Sequence, residues 1–144
     1  MTGNYKKKFS HKKCFYYNKN DFIYNEINVN TINNIKFDNY QQLTYLYDKS
    51  FTKNKGSIIY TANDYTNTTS GITHDNAFTT LDLPNGSINF FLNAVVSDRL
   101  LIEKSTVCKI ISGSRDYINI EGFIIINLLD NGIRKVKVYY NNFI

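Results

Sequence analysis

Two short turns constrain this chain more than any other feature. Pro84-Asn85-Gly86 and Asp130-Asn131-Gly132 each place an Asn-Gly pair between two apolar runs. Asn-Gly supplies the positive φ that a tight hairpin turn requires, so each pair predicts two antiparallel strands. The first turn joins residues 78–83 to 87–96, with Thr79, Leu81 and Leu83 sharing one face of one strand and Ile88, Phe90 and Leu92 one face of the other. The second joins residues 122–129 to 133–140. Residues 123–129 are apolar on both faces except at Asn127, which predicts that the outer face is covered by a partner subunit or by the N-terminal segment.

The remaining strands follow from period-two patterning. Residues 22–34 alternate loosely, with Glu26 and Asn28 on one side and Ile27 and Val29 on the other. If this strand lines a barrel, one of those faces looks into the lumen. Residues 40–48, 57–65 and 106–111 read as further strands, 99–104 as a short strand or connection, and 63–75 as a polar, mobile loop. Gly113 and Gly122 read as a turn and a bend. No segment keeps a 3.6-residue apolar period with caps. The pattern predicts an all-β fold, a sandwich or a closed barrel, and consecutive hairpins favour closure because it removes exposed edges. About seven or eight strands closed up-and-down are expected over residues 21–144, preceded by a basic N-terminal arm over residues 1–20.

Charge separates those two parts. Of 17 basic residues six lie in residues 1–20, which hold no acid, leaving eleven against all 12 acidic residues downstream. Lys6, Lys7, Lys8, Lys12 and Lys13, interleaved with Phe9, His11, Phe15, Tyr16 and Tyr17, could dock to nucleic acid or an anionic surface. A solvated tail that keeps a near-neutral domain soluble accounts for the same residues. The abundance of Asn, Ile, Lys, Tyr and Phe matches codons rich in A and T and indicates a biased genome, such as that of a protist, a giant virus or an AT-rich bacterium. No apolar signal core and no run long enough to span a bilayer occurs, which predicts a cytoplasmic, intracellular or virion protein that is not secreted. Cys14 and Cys108 are expected as free thiols.

Recognisable catalytic chemistry is thin. His11 and His74 stand in unrelated contexts with no metal-ligand spacing, so neither metal nor cofactor is expected. Ser112-Gly113-Ser114 lacks both the nucleophile-elbow form and a following helix, and reads as a turn.

The run Phe78-Thr79-Thr80-Leu81-Asp82-Leu83-Pro84-Asn85-Gly86-Ser87-Ile88, then Ile110-Ile111-Ser112-Gly113-Ser114-Arg115-Asp116-Tyr117, then Gly122, resembles the allene oxide cyclase and dirigent barrel superfamily. Tyr24-Asn25-Glu26-Ile27-Asn28 and Leu46-Tyr47-Asp48 also resemble the cyclase pattern, and the likeness spans most of residues 21–140. Departures are visible: Ser112-Gly113-Ser114-Arg115 replaces a Gly-Gly-Thr-Gly turn, the Ser-Pro pair is absent near Asn34-Ile35, and Thr44 stands where a second Asn is held.

The resemblance implies an all-β, eight-stranded antiparallel up-and-down barrel, calycin-like, with an apolar lumen and assembly as a dimer or trimer. It makes Glu26 and Asn28 the candidate catalytic residues, acting on a lipid-derived substrate as in an isomerase or cyclase. Thr44, Phe78, Phe90 and Cys108 are then expected to line the ligand. The leading expectation is a non-catalytic or weakly catalytic barrel holding an apolar small molecule. The alternative is a structural or interaction protein, for example a virion component, that uses the barrel as an oligomeric block and the lysine-rich arm for an anionic partner.

Overall fold

The computed structural model describes residues 9–97, 100–101 and 105–142. Its strands are β1 (His11–Asn18), β2 (Ile23–Ile32), β3 (Ile35–Tyr47), β4 (Asn54–Asn67), β5 (Ile72–Leu83), β6 (Gly86–Ser97), the two-residue β7 (Leu100–Leu101), β8 (Ser105–Gly113), β9 (Ile120–Leu128) and β10 (Ile133–Asn142). All pairings are antiparallel and follow the order β1-β10-β9-β8-β6-β5-β4-β3-β2. Tyr16 of β1 also meets Tyr47 of β3. That pair closes eight strands into a ring, the expected antiparallel barrel, with β2 and β7 attached outside it.

Alternation along each strand sends one set of side chains inward. Leu46, Ile58, Leu81, Ile88, Phe90, Ile124, Val136 and Val138 are fully shut from solvent, and they come from six of the eight barrel strands. An eight-stranded barrel has room in its middle for side chains or for one small ligand, and here side chains fill it. Each such burial contributes roughly 1.5–3 kcal/mol. The expected open apolar lumen is therefore a packed core.

Both predicted hairpins form, with different turn chemistry. At the second, Asn131 (φ 62) and Gly132 (φ 76) both take positive φ. At the first, Pro84 and Asn85 make the turn, and the positive φ (147) falls on Gly86, the first residue of β6. A Cβ there would stand 2.2 Å from the Ser114 carbonyl oxygen. That approach brings the 3₁₀ turn Arg115–Tyr117 under the hairpin, where Asp116 N donates to Asn85 O at 3.1 Å. Tyr117, 3% exposed, plugs this end of the barrel.

Two stretches differ from expectation. Within the stretch expected as an arm, His11–Asn18 is a barrel strand, paired to β10 from His11↔Tyr140 to Asn18↔Ile133. Its period is hidden because both faces are occupied: Phe15 and Tyr17 point into the core, while Tyr16 is buried on the other side beneath Lys135, whose Nζ lies 5.7 Å from its ring. Lys6, Lys7 and Lys8 lie outside the described residues. The expected loop over residues 63–75 is mostly strand, with only residues 68–71 connecting β4 to β5.

The outer face of β9 is covered as its two-sided apolarity predicts. Phe9 packs there with Ile125 and Tyr139, and its ring meets Phe123 edge-on at 5.9 Å.

Candidate functional site

The end of the barrel opposite Tyr117 holds polar groups that the core lacks. Inward positions of β3, β4 and β5 continue past Leu46, Ile58 and Leu81 to Gln42 and Tyr40, to Tyr60, Ala62 and Asp64, and to Ala77 and Asp75. Of these, Tyr40, Gln42, Tyr60, Ala77 and Asp75 join Tyr17 of β1, Lys19, Leu92 of β6 and Arg134 of β10 in lining a cavity of about 210 Å³, with Asp64 behind that wall. On one side the Tyr17 and Tyr60 hydroxyls hydrogen-bond at 2.8 Å, linking β1 to β4 across the interior. Burial first, then the neighbouring Tyr17 hydroxyl, push the Tyr60 phenol well above its ordinary range.

Asp64 is the buried carboxylate of this end, 7% exposed. The Tyr40 hydroxyl donates to its Oδ2 at 2.9 Å, and the backbone N–H of Asn76 donates to its Oδ1 at 2.9 Å. The latter contact occupies the place where the β4–β5 ladder omits pairs between Ala62↔Ala77 and Tyr65↔His74. A carboxylate thus satisfies a backbone donor that the ladder does not.

The Asp75 carboxyl lies against Asp64, and a hydrogen bond between the two favours the protonated form of Asp75. Burial, then that hydrogen bond, raise Asp75 to about 7, against a smaller opposing pull from Arg134. A second acidic pair lies beside it: Asp38 is raised to about 6 by burial and by its hydrogen bond to Glu26. The Tyr24 hydroxyl donates to Glu26 Oε2. Burial and Asp64 push the Tyr40 phenol upward. On the wall facing Asp75, Arg134 Nε is a buried donor with no partner.

The sequence-predicted residues scatter. Glu26 lies on β2, all of whose residues are exposed, and so stands outside the barrel interior. Its register partner is Tyr40, which puts it on the face that continues into the cavity and makes it a rim residue. A bulge between Glu26 and Asn28 then aligns Asn28 with Asn39, on the opposite face. Neither residue is positioned as the lumen pair that the cyclase resemblance implies. Phe78 lies on the outside of β5, 41% exposed, with Phe91 edge-on at 5.5 Å. Phe90 and Cys108 face inward but are packed in the core, and burial pushes the Cys108 thiol up to about 11. Thr44 is buried, its hydroxyl without a partner, beside a separate cleft between β1 and β3 that also holds Tyr45, Tyr47 and Phe51.

Lys12 and Lys13 are drawn to different partners, the rings of Tyr139 and Tyr117 respectively, and do not form one cationic patch. Both cysteines are free thiols. Among the described residues no three His, Cys, Asp or Glu side chains gather as a metal-ligand set, and no helix is long and apolar enough to cross a membrane.

Asp64, Asp75 and Arg134 are the residues that sequence reasoning missed. The available signal was parity: Tyr60, Ala62 and Asp64, like Asp75, Ala77 and Thr79, keep period two straight through the polar stretch read as a loop.

No protein-family model and no curated protein sequence matches the chain. Among solved structures, one described as pyocyanin demethylase superposes with a TM-score of 0.64 at 13% identity, covering 91% of this chain and 100% of that one. At that identity the likeness is one of fold, and it places the chain among barrels of this kind.

Proposed function

We propose that this barrel binds a small polar molecule in the cavity at its open end. The observation that carries this reading is the convergence of Asp75, Arg134, Tyr40 and the Tyr17–Tyr60 pair on one cavity of about 210 Å³, in a barrel otherwise packed shut. Sites for drug-sized ligands run to roughly 300–1,000 Å³, so a smaller molecule suits this one. A lipid-derived substrate in an apolar lumen is not favoured, because side chains occupy that space and the remaining cavity is walled by charged and phenolic groups. The structural neighbour acts on a small molecule, as its name states, which supports looking for a ligand in a barrel of this shape.

The test is a thermal-shift and calorimetric screen of small polar solutes (polyols, amines, carboxylates, amino acids) beside fatty-acid-derived ligands. A polar member is expected to raise the Tm, and Asp75→Asn to weaken it by about tenfold or more, equivalent to ~1.4 kcal/mol. A screen in which only lipophilic members act, or none does, overturns the proposal.

A second reading, self-association, is favoured by β2. It ends the strand order, leaving its outer edge unpaired among the described residues, and Ile23, Ile27, Val29 and Ile32 on it are each about half exposed or more. β2 carries no Pro or Lys to discourage edge pairing. A second copy offers an identical edge that can pair antiparallel about a two-fold axis. Light scattering is expected to report a dimer that Ile27→Lys converts to monomer without lowering the Tm; a monomeric wild type removes this reading.

A further inference from the structure

We infer that the molecule held at the open end is a small zwitterion of the amino-acid class, presenting its ammonium group to the Asp64–Asp75 pair and its carboxylate to Arg134 and Lys19. This rests on the cavity being the ligand site and goes beyond it by fixing the ligand's charge pattern.

The strand order supplies the first argument. In the eight-stranded ring β5 and β10 are four steps apart in either direction, so Asp75 and Arg134 stand on opposite walls at the same end. No ion pair joins them, and Arg134 keeps a buried Nε–H without a partner. A guanidinium and a carboxyl pair that face one space without neutralising each other form a dipolar receptor.

Charge balance supplies the second. A simple cation attracted to Asp75 would meet Arg134 and Lys19, and a simple anion attracted to Arg134 would meet Asp75 with Asp64 behind it. A neutral polyol would satisfy hydrogen bonds but leave both charges facing each other across a partly dehydrated space. Only a molecule with both charges satisfies both walls. Size agrees: at about 30 Å³ per water, the 210 Å³ cavity equals roughly seven waters, the scale of an amino acid. Ala77 and Leu92 leave an apolar strip for its side chain.

The placement of Asp75 supplies the third. Where the Asp75 carboxyl, buried against Asp64, holds a proton, it can accept an ammonium group by releasing that proton, so binding and proton release are linked. The groups around the pair are Tyr60 on β4, Tyr40 and Asp38 on β3, Glu26 on β2, Tyr17 on β1, Lys19 and Arg134. β6 contributes no titratable side chain. Asp75, raised to about 7, is the member poised to lose its proton near neutral pH.

The experiment is calorimetry on the full chain with the twenty common amino acids and, for the best of them, its decarboxylated amine and its deaminated acid. At least one amino acid is expected to bind with at least tenfold preference over both matched analogues, and heats measured in phosphate and in Tris at pH 6.5 are expected to differ in the sense of proton release. Arg134→Gln should reverse the preference toward the amine, and Asp75→Asn toward the acid. This exchange of charge selectivity is one that a purely structural role for either residue would not produce, and either variant alone suffices if the other does not fold. Equal binding of amine, acid and amino acid, or binding by polyols alone, overturns the zwitterion while leaving a polar ligand site intact. No binding by any polar solute overturns both.

Discussion

At the scale of single residues, the open end is governed by protons. Asp75 is raised to about 7 and Asp38 to about 6, both from 3.8, each chiefly by burial. A carboxyl whose folded value lies above its unfolded one stabilises the fold fully below about 4 and loses that contribution as pH rises through the folded value. The Tm is therefore expected to fall as pH rises from about 4 to 7. Replacement of Asp75 by Asn, which stays neutral throughout, should flatten the fall, most clearly between about 6 and 7, where Asp38 no longer contributes. Fluorimetry across a pH series on both proteins checks this, and parallel curves would count against a raised Asp75. The same chemistry explains why these residues were not legible as a site. Inward carboxylates break an apolar alternation, so Asp64 and Asp75 made two strand ends look like one polar loop. Glu26, conspicuous in sequence through a family likeness, reaches the site only as a rim residue that holds Asp38.

At the scale of elements, β1 and β2 trade the roles their sequences suggest. β2 alternates, if loosely, yet buries nothing, because among the described residues it pairs only with the edge of β3 and extends past the ring. β1 shows no alternation yet is a closing stave, since pairing with β10 through eight consecutive positions demands side chains on both faces. Lysines at Lys12 and Lys13 disguise it; their stems and charges lie over Tyr139 and Tyr117. Removal of residues 1–18 is accordingly expected to abolish cooperative unfolding, because it strips Phe15 and Tyr17 from the core and leaves two sheet edges open. Circular dichroism with thermal melts would decide the matter: a truncated chain that melts like the full one would return this segment to the status of an arm.

At the scale of the molecule, closure was legible because hairpin turns and period-two runs are local signals, and two Asn-Gly turns pin much of the register. The state of the interior was not, because whether a barrel's middle is open depends on how inward side chains from many strands add up. Here Phe90, Ile58, Leu81 and Ile124 together leave no lumen, and the cavity lies where the inward positions turn polar. The closing pair also sets an order of events. Tyr17 and Arg134 are register partners separated by more than a hundred residues of chain, and both wall the cavity. During synthesis, then, the pocket cannot exist until β10 has been made and has found a strand that left the ribosome long before. Occupancy would mark a finished barrel, and a cell rich in the ligand would help that slow, long-range meeting to hold.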